Sequence, residues 1–227
     1  MLPLGVNAAS APIIESSASS GYALELLFGG ADNSTTFTDT SSFGRTMTRV
    51  GSPVVKAGTG PSGANCGDFL TSAGNYLTTP DAAELRFGAG DFEISCDLKL
   101  QSTIVTGGKH SFIASKGASG NLNNAWYFGI FSGGYISFTS ANNNAAIYVL
   151  YDHRADTTNW HNLKLRRTSG LVEILVDDVS VGSCTPGSGG VANIYEGAAP
   201  LYVKGWNYGT ANTRGDLMAN FRMTCNP

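Results

Sequence analysis

The chain is dominated by short stretches in which apolar and polar residues alternate. In FEISCDLKL, residues 92–100, the side chains of Phe92, Ile94 and Cys96 are separated by single, more polar residues. A period of two places such side chains on one face of an extended strand, so Cys96 is predicted to point inward. Similar stretches recur from Tyr22 onward, each closed by Gly, Asn, Asp or Ser. This pattern predicts an all-β sandwich or jelly roll rather than alternating strands and helices.

A hairpin is predicted from residue 161 to residue 176. In HNLKLRR, leucines alternate with basic residues, and in LVEILVDD, apolar residues alternate with Glu173 and Asp177, with TSG between them as a turn. One face of this hairpin is therefore buried. Opposite charges across strands contribute only about 0.2–1 kcal/mol per pair, so these charges are interpreted as solvated surface. The pair Asp177–Asp178 predicts a second tight turn.

One connection is predicted to contain a helical turn. TPDAAELRFG has Pro80 and Asp81 at its start and Glu84 three residues after Asp81. This spacing matches a capping box.

The N-terminal residues 1–20 differ in composition from the rest. They are rich in Ala and Ser and show no sustained period, so they cannot bury enough surface to fold alone. We expect an arm, with two alternatives: a disordered tail, or a tether that a partner orders through Ile13 and Ile14. Residues 21–227 are predicted to form one domain.

The composition excludes several classes of function. Only 14% of the residues are charged, and the net charge is -3, which provides no general attraction for nucleic acid. No apolar run reaches the roughly 20 residues of a membrane span, and no secretory signal is recognisable. We therefore expect folding in a cytoplasm. In that setting the four cysteines, which lack zinc-site spacing, are expected to be mostly buried thiols, with two disulfides as the alternative.

Four blocks along the chain carry a resemblance to a known family. They are LLFGGADNSTTFTDTSSFGRTMTRVG, SAGNYLTTPDAAELRFGAGDFEI, WHNLKLRRTSGLVEILVDDVSVG and LYVKGWNYGTANTRGDLMANFRMT. Their order resembles the laminin G-like branch of the concanavalin A-like lectin/glucanase jelly rolls, especially the copies in phage virion proteins. The resemblance runs from about Tyr22 to Thr224. It implies a two-sheet antiparallel jelly-roll sandwich whose loops or concave face bind glycan.

The chain departs from this family in two places. It has Asp177–Asp178 where Asp-Gly is common, and LMANFRMT replaces a segment with an acidic pair. The second change lowers the expectation of calcium. Asp32, Asp39 and Asp68 lie in polar loops and offer oxygen ligands, but such residues equally favour turns. No metal or other cofactor is therefore expected.

Catalytic chemistry is not expected either. The Glu-x-Asp-x-x-Glu pattern of the glucanases is absent, and the carboxylates of Glu93/Asp97 and of Glu173/Asp177 are about four residues apart at 3.3 Å each. A retaining mechanism requires about 5–5.5 Å. The three histidines have no recognisable triad motif, and His161 is predicted to pack at a strand entrance beside Trp160.

Glycan recognition combines an aromatic face with amide or carboxylate groups. The candidates are Trp206, Asn207 and Tyr208 in GWNYG, Asn142 to Asn144 with Asn143 at their centre, and Asn123, Asn124 and Trp126. The competing explanation is that Trp126 and Trp206 fill the core and the asparagines form turns.

Together with the arm and the lack of a catalytic motif, the resemblance implies a non-enzymatic phage virion structural protein, a capsid decoration or a tail or fibre component, with glycan-binding loops. The alternatives are a stand-alone lectin-like module and, less favoured, a glycoside hydrolase. The expected partners are other virion proteins bound through the arm, further copies of the chain and a surface glycan, with no nucleic acid or membrane. The expected location is the virion, assembled in the host cytoplasm.

Overall fold

The computed structural model describes residues 21–70, 74–104, 109–117, 125–140, 145–185, 194, 197–206 and 214–225. Within these residues the strands form two antiparallel sheets packed as a sandwich, so the predicted all-β, two-sheet architecture is confirmed. The predicted arm at residues 1–20 lies outside the described residues. No helix in the described part of the chain is long and apolar enough to span a membrane.

Sheet 1 has the strand order β13-β12-β11-β6-β15-β4-β3, with β1 pairing to β15 as well. Its strands are β1 (Leu24–Leu26), β3 (Val54–Lys56), β4 (Cys66–Asp68), β6 (Phe92–Lys99), β11 (His161–Thr168), β12 (Leu171–Val176), β13 (Val179–Cys184) and β15 (Leu217–Cys225). Sheet 2 has the order β10-β9-β8-β7-β14-β5-β2. Its strands are β2 (Thr48–Val50), β5 (Tyr76–Thr79), β7 (Ser111–Gly117), β8 (Ala125–Ile130), β9 (Tyr135–Ser140), β10 (Ala145–Leu150) and β14 (Leu201–Val203).

The predicted hairpin is confirmed as β11 and β12. Leu165 lies opposite Ile174 on the buried face, and Arg166 lies opposite Glu173 on the other face, where its guanidinium donates to Oε2 at 3.2 Å. The next connection is Asp177–Asp178, whose φ angles of 50° and 64° are left-handed. Two such residues form the tight turn that suits the twist of a hairpin.

The predicted helical turn is a 3-10 turn at Ala83–Leu85, and a second 3-10 turn lies at Pro61–Gly63. The capping role predicted for Asp81 is wrong, because the N-cap residue is Ala82 and no side chain caps the turn. Asp81 instead accepts hydrogen bonds from Arg86 and, at 2.5 Å, from the buried Lys116 of β7. The Asp81 carboxylate therefore pairs with the buried ammonium group of Lys116 rather than capping the adjacent 3-10 turn.

The core lies between the two sheets. Trp126 is fully buried there, and Phe87 stacks on Phe92 at 3.8 Å between ring centroids. The Arg167 guanidinium lies over the Phe92 ring and donates to the carbonyl oxygen of Phe87, so this buried cation is satisfied. Cys96 is also fully buried in this cluster, as the alternation predicts.

A buried polar network joins the sheets at one end of the sandwich. Asp216, just before β15, accepts hydrogen bonds from Lys204 after β14 at 3.2 Å and from Ser111 of β7 at 2.6 Å. Arg214 donates to the other carboxylate oxygen at 3.0 Å. Asp216 and Lys204 are both fully buried. Burial lowers the pKa of Lys204, and the Asp216 charge opposes that shift.

Candidate functional site

The two sheets present outer faces of opposite character, an outer face being the one turned away from the core. On sheet 1 the outward positions carry charges, among them Glu93, Lys99, Lys164, Arg166, Glu173 and Arg222. On the described strands of sheet 2, register places no charged residue outward. Instead, the outward residues include Tyr76, Thr78, Phe112, Ser115, Tyr127, Tyr135, Ser137, Thr139, Tyr148, Leu150 and Tyr202.

An aromatic cluster occupies the middle of this outer face. Phe112 is fully buried yet does not belong to the core between the sheets. Its ring lies 5.0 Å from Trp206, 5.6 Å from Phe131 and 6.2 Å from Tyr127, measured between ring centroids. Trp206 and Tyr127 are themselves 5.4 Å apart. These separations fall in the range of favourable aromatic pairs, each worth about 0.5–1.5 kcal/mol beyond area burial.

The alternation along β8 places Tyr127 in this cluster. Trp126 and Phe128 point into the core, so Tyr127 and Gly129 face outward. Gly129 lies opposite Phe112, and a Cβ at that position would come within 2.8 Å of the Phe112 Cα. Only glycine allows β7 and β8 to approach so closely there.

The turn after β14 brings Trp206 over the sheet. Lys204 has a left-handed φ of 60°, and a Cβ on Gly205 would lie 2.6 Å from the Cβ of Tyr76. The Ser115 hydroxyl donates to the Gly205 carbonyl oxygen at 2.8 Å. This glycine and this hydrogen bond hold the backbone against sheet 2, so Trp206 packs on the outer face rather than in the core.

The outer face is most exposed on β9 and β10. Tyr135, Tyr148 and Leu150 are 46%, 58% and 47% exposed. The Tyr148 hydroxyl lies 2.9 Å from Oγ1 of Thr139. The face therefore combines open aromatic rings with hydroxyl groups that both donate and accept hydrogen bonds.

Two titratable groups among the described residues of this face have pKa values shifted toward their neutral forms. Burial raises the pKa of Tyr127 above its ordinary value of 10.0, so its hydroxyl stays protonated. Burial lowers the pKa of His110 below its ordinary value of 6.5. The backbone N–H of Ser132 donates to His110 Nδ1 at 3.1 Å, which identifies that nitrogen as an unprotonated acceptor.

Sequence reasoning located this face only in part. Trp206 lies on it, while Asn207, Tyr208 and Asn143 lie outside the described residues, as do the neighbouring asparagines 123, 124, 142 and 144. For Trp126 the competing explanation is correct, because its side chain is fully buried in the core.

Sequence reasoning missed the tyrosines and Phe131. The available signal was that AWYFGIF and AIYVLYD carry apolar or aromatic residues at both alternating positions. A strand with one solvated face usually carries polar residues at every second position, so this pattern indicates that the outer face of sheet 2 is apolar and aromatic rather than charged.

The carboxylates considered for catalysis do not form a pair. Asp97 accepts hydrogen bonds from the side chains of Asn162 at 2.8 Å and Asn220 at 2.7 Å on the outer face of sheet 1. Glu173 bonds Arg166, while Asp177 lies in the turn after β12 rather than on the same strand face. The even spacing of Glu173 and Asp177 would place both on one face of a single strand, but Asp177 lies instead in the turn that the Asp177–Asp178 pair predicts.

The loop aspartates considered for calcium accept hydrogen bonds from the backbone. Asp39 accepts from the N–H groups of Glu25, Ser41 and Arg45. Asp68 accepts the N–H of Leu70, whereas Asp32 accepts that of Ala57, which is 25 residues away. The bonds to Asp39 and Asp68 from two residues further along the chain are the local turn bonds expected of such residues, and the bond to Asp32 joins distant segments.

Comparison with solved structures shows the same fold in toxin binding domains. The binding domain of Paraclostridial mosquitocidal protein 1 superposes with a TM-score of 0.64 at 10% identity, over 89% of this chain and 48% of that one. The binding domain of botulinum neurotoxin DC in complex with SialylT gives 0.62 at 14% identity, over 90% and 48%. A third structure, of botulinum neurotoxin type C, whose cell entry depends upon interaction with two ganglioside molecules, gives 0.60 at 14%, over 91% and 48%.

The chain thus spans about half the length of the structures that it matches. At these identities the likeness establishes the fold alone. The sequence matches no protein-family model and no curated protein.

Proposed function

We propose that this protein is a non-enzymatic carbohydrate-binding β-sandwich and that the outer face of sheet 2 is its glycan platform. The observation that carries this proposal is the row of aromatic side chains on that face, exposed at Tyr135 and Tyr148 and continued by Tyr127 and Trp206. Sugar rings stack their C–H faces on such side chains, and neighbouring hydroxyls orient them.

The character of the opposite face supports this choice. The outer face of sheet 1 carries ion pairs such as Arg166–Glu173, and these charged side chains face solvent. Exposed aromatic groups on a soluble domain are otherwise unfavourable, so their concentration on sheet 2 marks a binding surface. The fold is shared with toxin binding domains, one of them in complex with SialylT, which supports a recognition role.

The outward residues on the described strands of sheet 2 are uncharged, which favours a neutral sugar over an anionic one as the ligand. The strongest hydrogen bonds to the carboxylate of a sialic acid or to a sulfate group come from Arg or Lys. The outward positions on the described strands of sheet 2 carry none. A neutral polysaccharide therefore fits better than an anionic one.

Affinity electrophoresis and a glycan array with the full chain test this proposal. Tyr148→Ala removes a 58% exposed ring and is expected to weaken binding of a neutral glycan at least about tenfold, or about 1.4 kcal/mol. Leu171→Ala is the matched control, because Leu171 is 41% exposed on sheet 1. Equal binding by both variants, or preference for anionic glycans, would contradict the proposal. Selective capture of a protein by the same face would indicate a protein-docking role instead.

We further propose that the biological setting is a phage virion, where the chain decorates the capsid or belongs to the tail or fibre. The support is the order of the four sequence blocks, which resembles laminin G-like copies in phage virion proteins. Residues 1–20 would bind other virion proteins, and assembly would take place in the host cytoplasm. Mass spectrometry of purified particles tests this setting, and consistent absence of the chain from particles would reject it. A glycoside hydrolase is not proposed, because Asp97, Glu173 and Asp177 each bond other side chains.

A further inference from the structure

The connection from β10 to β11 gathers three potential metal ligands away from the aromatic face. This segment, residues 151–160, passes from sheet 2 to sheet 1. The backbone N–H of Asp156 donates to the His153 carbonyl oxygen at 2.8 Å, which curls the segment back toward His161, the first residue of β11. One ligand atom from each of His153, Asp156 and His161 lies within 4.8 Å of the other two.

The geometry of the two imidazoles is close to that of a shared site. Their rings stack at 3.8 Å between centroids with 28° between planes. Nε2 of His161 is 3.3 Å from Oδ2 of Asp156. In a tetrahedral zinc site with bonds of about 2.0–2.1 Å, neighbouring ligand atoms lie roughly 3.3 Å apart. The His153 nitrogen lies within 4.8 Å of the other two ligand atoms, so reorientation of this partly exposed side chain would complete such a site.

A second carboxylate orients the buried histidine. Oδ2 of Asp177 lies 2.8 Å from Nδ1 of His161, while Nε2 faces Asp156. A hydrogen bond from Nδ1–H to a carboxylate fixes the tautomer in which Nε2 is free to bind a metal. His161 is only 8% exposed, so its ring is held in this orientation.

The Asp156 carboxylate is also held in place before any metal binds. It accepts hydrogen bonds from the backbone N–H and hydroxyl of Thr158 and from the backbone and side chain of Asn159, at 2.8 to 3.0 Å. These four hydrogen bonds fix the position of both carboxylate oxygens. A fixed anionic oxygen beside two imidazoles is a preorganised ligand set.

We propose that His153, Asp156 and His161 form a binding site for a divalent cation of the zinc class. Two nitrogens and one oxygen suit Zn²⁺ or Co²⁺ better than the hard cations Ca²⁺ and Mg²⁺, which prefer oxygen alone. This differs from the sequence-based expectation of no metal, which rested on Cys/His spacing and on the loop aspartates. The ligand set became visible only when the connection folded back onto β11.

The site has access to a cavity of about 250 Å³. His153 and Asp177 line this cavity together with Tyr151, Asp152 and Val179, between the β10 edge of sheet 2 and the β13 edge of sheet 1. Three protein ligands leave one position of a tetrahedral ion for water or an exogenous ligand. The fourth position is therefore assigned to the cavity side.

Titration of the full chain with ZnCl₂ and with CoCl₂ tests the proposal. Calorimetry is expected to show one ion per chain, and Co²⁺ is expected to give the visible bands of a four-coordinate ion without the strong sulfur-to-metal band of a thiolate site. The appearance of that band would instead identify a cysteine thiolate as a ligand and would contradict the proposed ligand set. Asp177→Asn is expected to weaken affinity about 10–100-fold by misorienting His161.

Substitution of each proposed histidine ligand tests whether that side chain binds the metal. His153→Ala removes a ligand from a partly exposed position and is expected to abolish one-to-one binding while the circular dichroism spectrum is retained. His161→Ala provides the same test at a buried ligand, and His110→Ala is the matched control, since His110 lies in the aromatic cluster. Absence of Zn²⁺ and Co²⁺ binding at millimolar metal, or binding that survives His153→Ala, would overturn the proposal.

Discussion

Trp126 and Tyr127 are consecutive in β8, and their side chains lie on opposite faces of sheet 2. The Trp126 ring is fully buried between the sheets, whereas the Tyr127 ring lies 5.4 Å from Trp206 on the outer face. The two-residue period of the strand thus places Trp126 in the core and Tyr127 on the face proposed to bind glycan. Substitutions at the two positions should separate stability from glycan binding.

Trp126→Ala is expected to lower the free energy of unfolding by about 3–5 kcal/mol, because it leaves a large cavity in the core. Tyr127→Ala removes a half-buried ring and is expected to cost less, while weakening glycan binding. Urea denaturation and affinity electrophoresis of both variants measure the two effects. Equal losses of stability would contradict the assignment of these residues to different faces.

The buried network at one end of the sandwich predicts a strong effect at Asp216. Asp216→Ala leaves the buried Lys204 and its neighbour Arg214 without their counter-charge, so a loss of about 3–5 kcal/mol in unfolding free energy is expected. Asp178→Ala is the control, because its ion pair with Lys164 is exposed and should contribute less than about 1 kcal/mol. Chemical denaturation distinguishes them, and similar values for both would show that the network is not stabilising.

Asp81 predicts a dependence of stability on acid pH. Burial alone would raise its pKa, but hydrogen bonds from Arg86 and Lys116 and their charges outweigh burial and lower the pKa below 3.8. A lowered carboxyl pKa stabilises the fold above the unfolded value, and this contribution is lost as the pH falls through the folded value. Urea midpoints from pH 5 to pH 2 should therefore fall more steeply for the unmodified chain than for Asp81→Asn. If the urea midpoints of the two proteins fall equally with pH, the ion pairs of Asp81 do not contribute to the acid dependence of stability.

Gly205 predicts a local effect on the aromatic face. A methyl group there would approach the Tyr76 Cβ to 2.6 Å, so Gly205→Ala is expected to displace Trp206, change its fluorescence and weaken glycan binding. The expected cost in stability is about 1–3 kcal/mol. Gly29→Ala is the control, because a Cβ at Gly29 has no neighbour within 4 Å. An unchanged emission spectrum for Gly205→Ala would contradict the placement of Trp206.

The sandwich and its charged hairpin could be predicted because both depend on local patterns. The alternation in β11 and β12 predicts which of their residues are buried. The residue types at 169–170 and 177–178 predict the turns, and all four residues have left-handed φ angles. The role of Asp81 could not be predicted, because its partner Lys116 is 35 residues away. A capping box describes only contacts within one turn of chain, whereas the partner of the Asp81 carboxylate is the buried Lys116 on a distant strand.

The sites were less predictable than the fold for the same reason. The face occupied by Trp206 depends on the turn at Lys204 and on the packing of Gly205 against Tyr76, neither of which has a local signature. The stacking of His153 on His161 depends on the path between the sheets. Periodicity predicts which side of a strand a residue occupies, but not which residues a connection brings together.

The pairing of β1 with β15 brings the first and last described strands side by side. Leu24 lies opposite Met223, and the backbone N–H of Ala23 donates to the Met223 carbonyl oxygen at 2.7 Å. A short linker could therefore join the start of β1 to the end of β15, and the chain could be reopened at the Ser169–Gly170 turn, where Ser169 is exposed, without rerouting a strand. The same proximity would let the sandwich be inserted as a self-contained loop into a host protein, with its aromatic face still open to solvent.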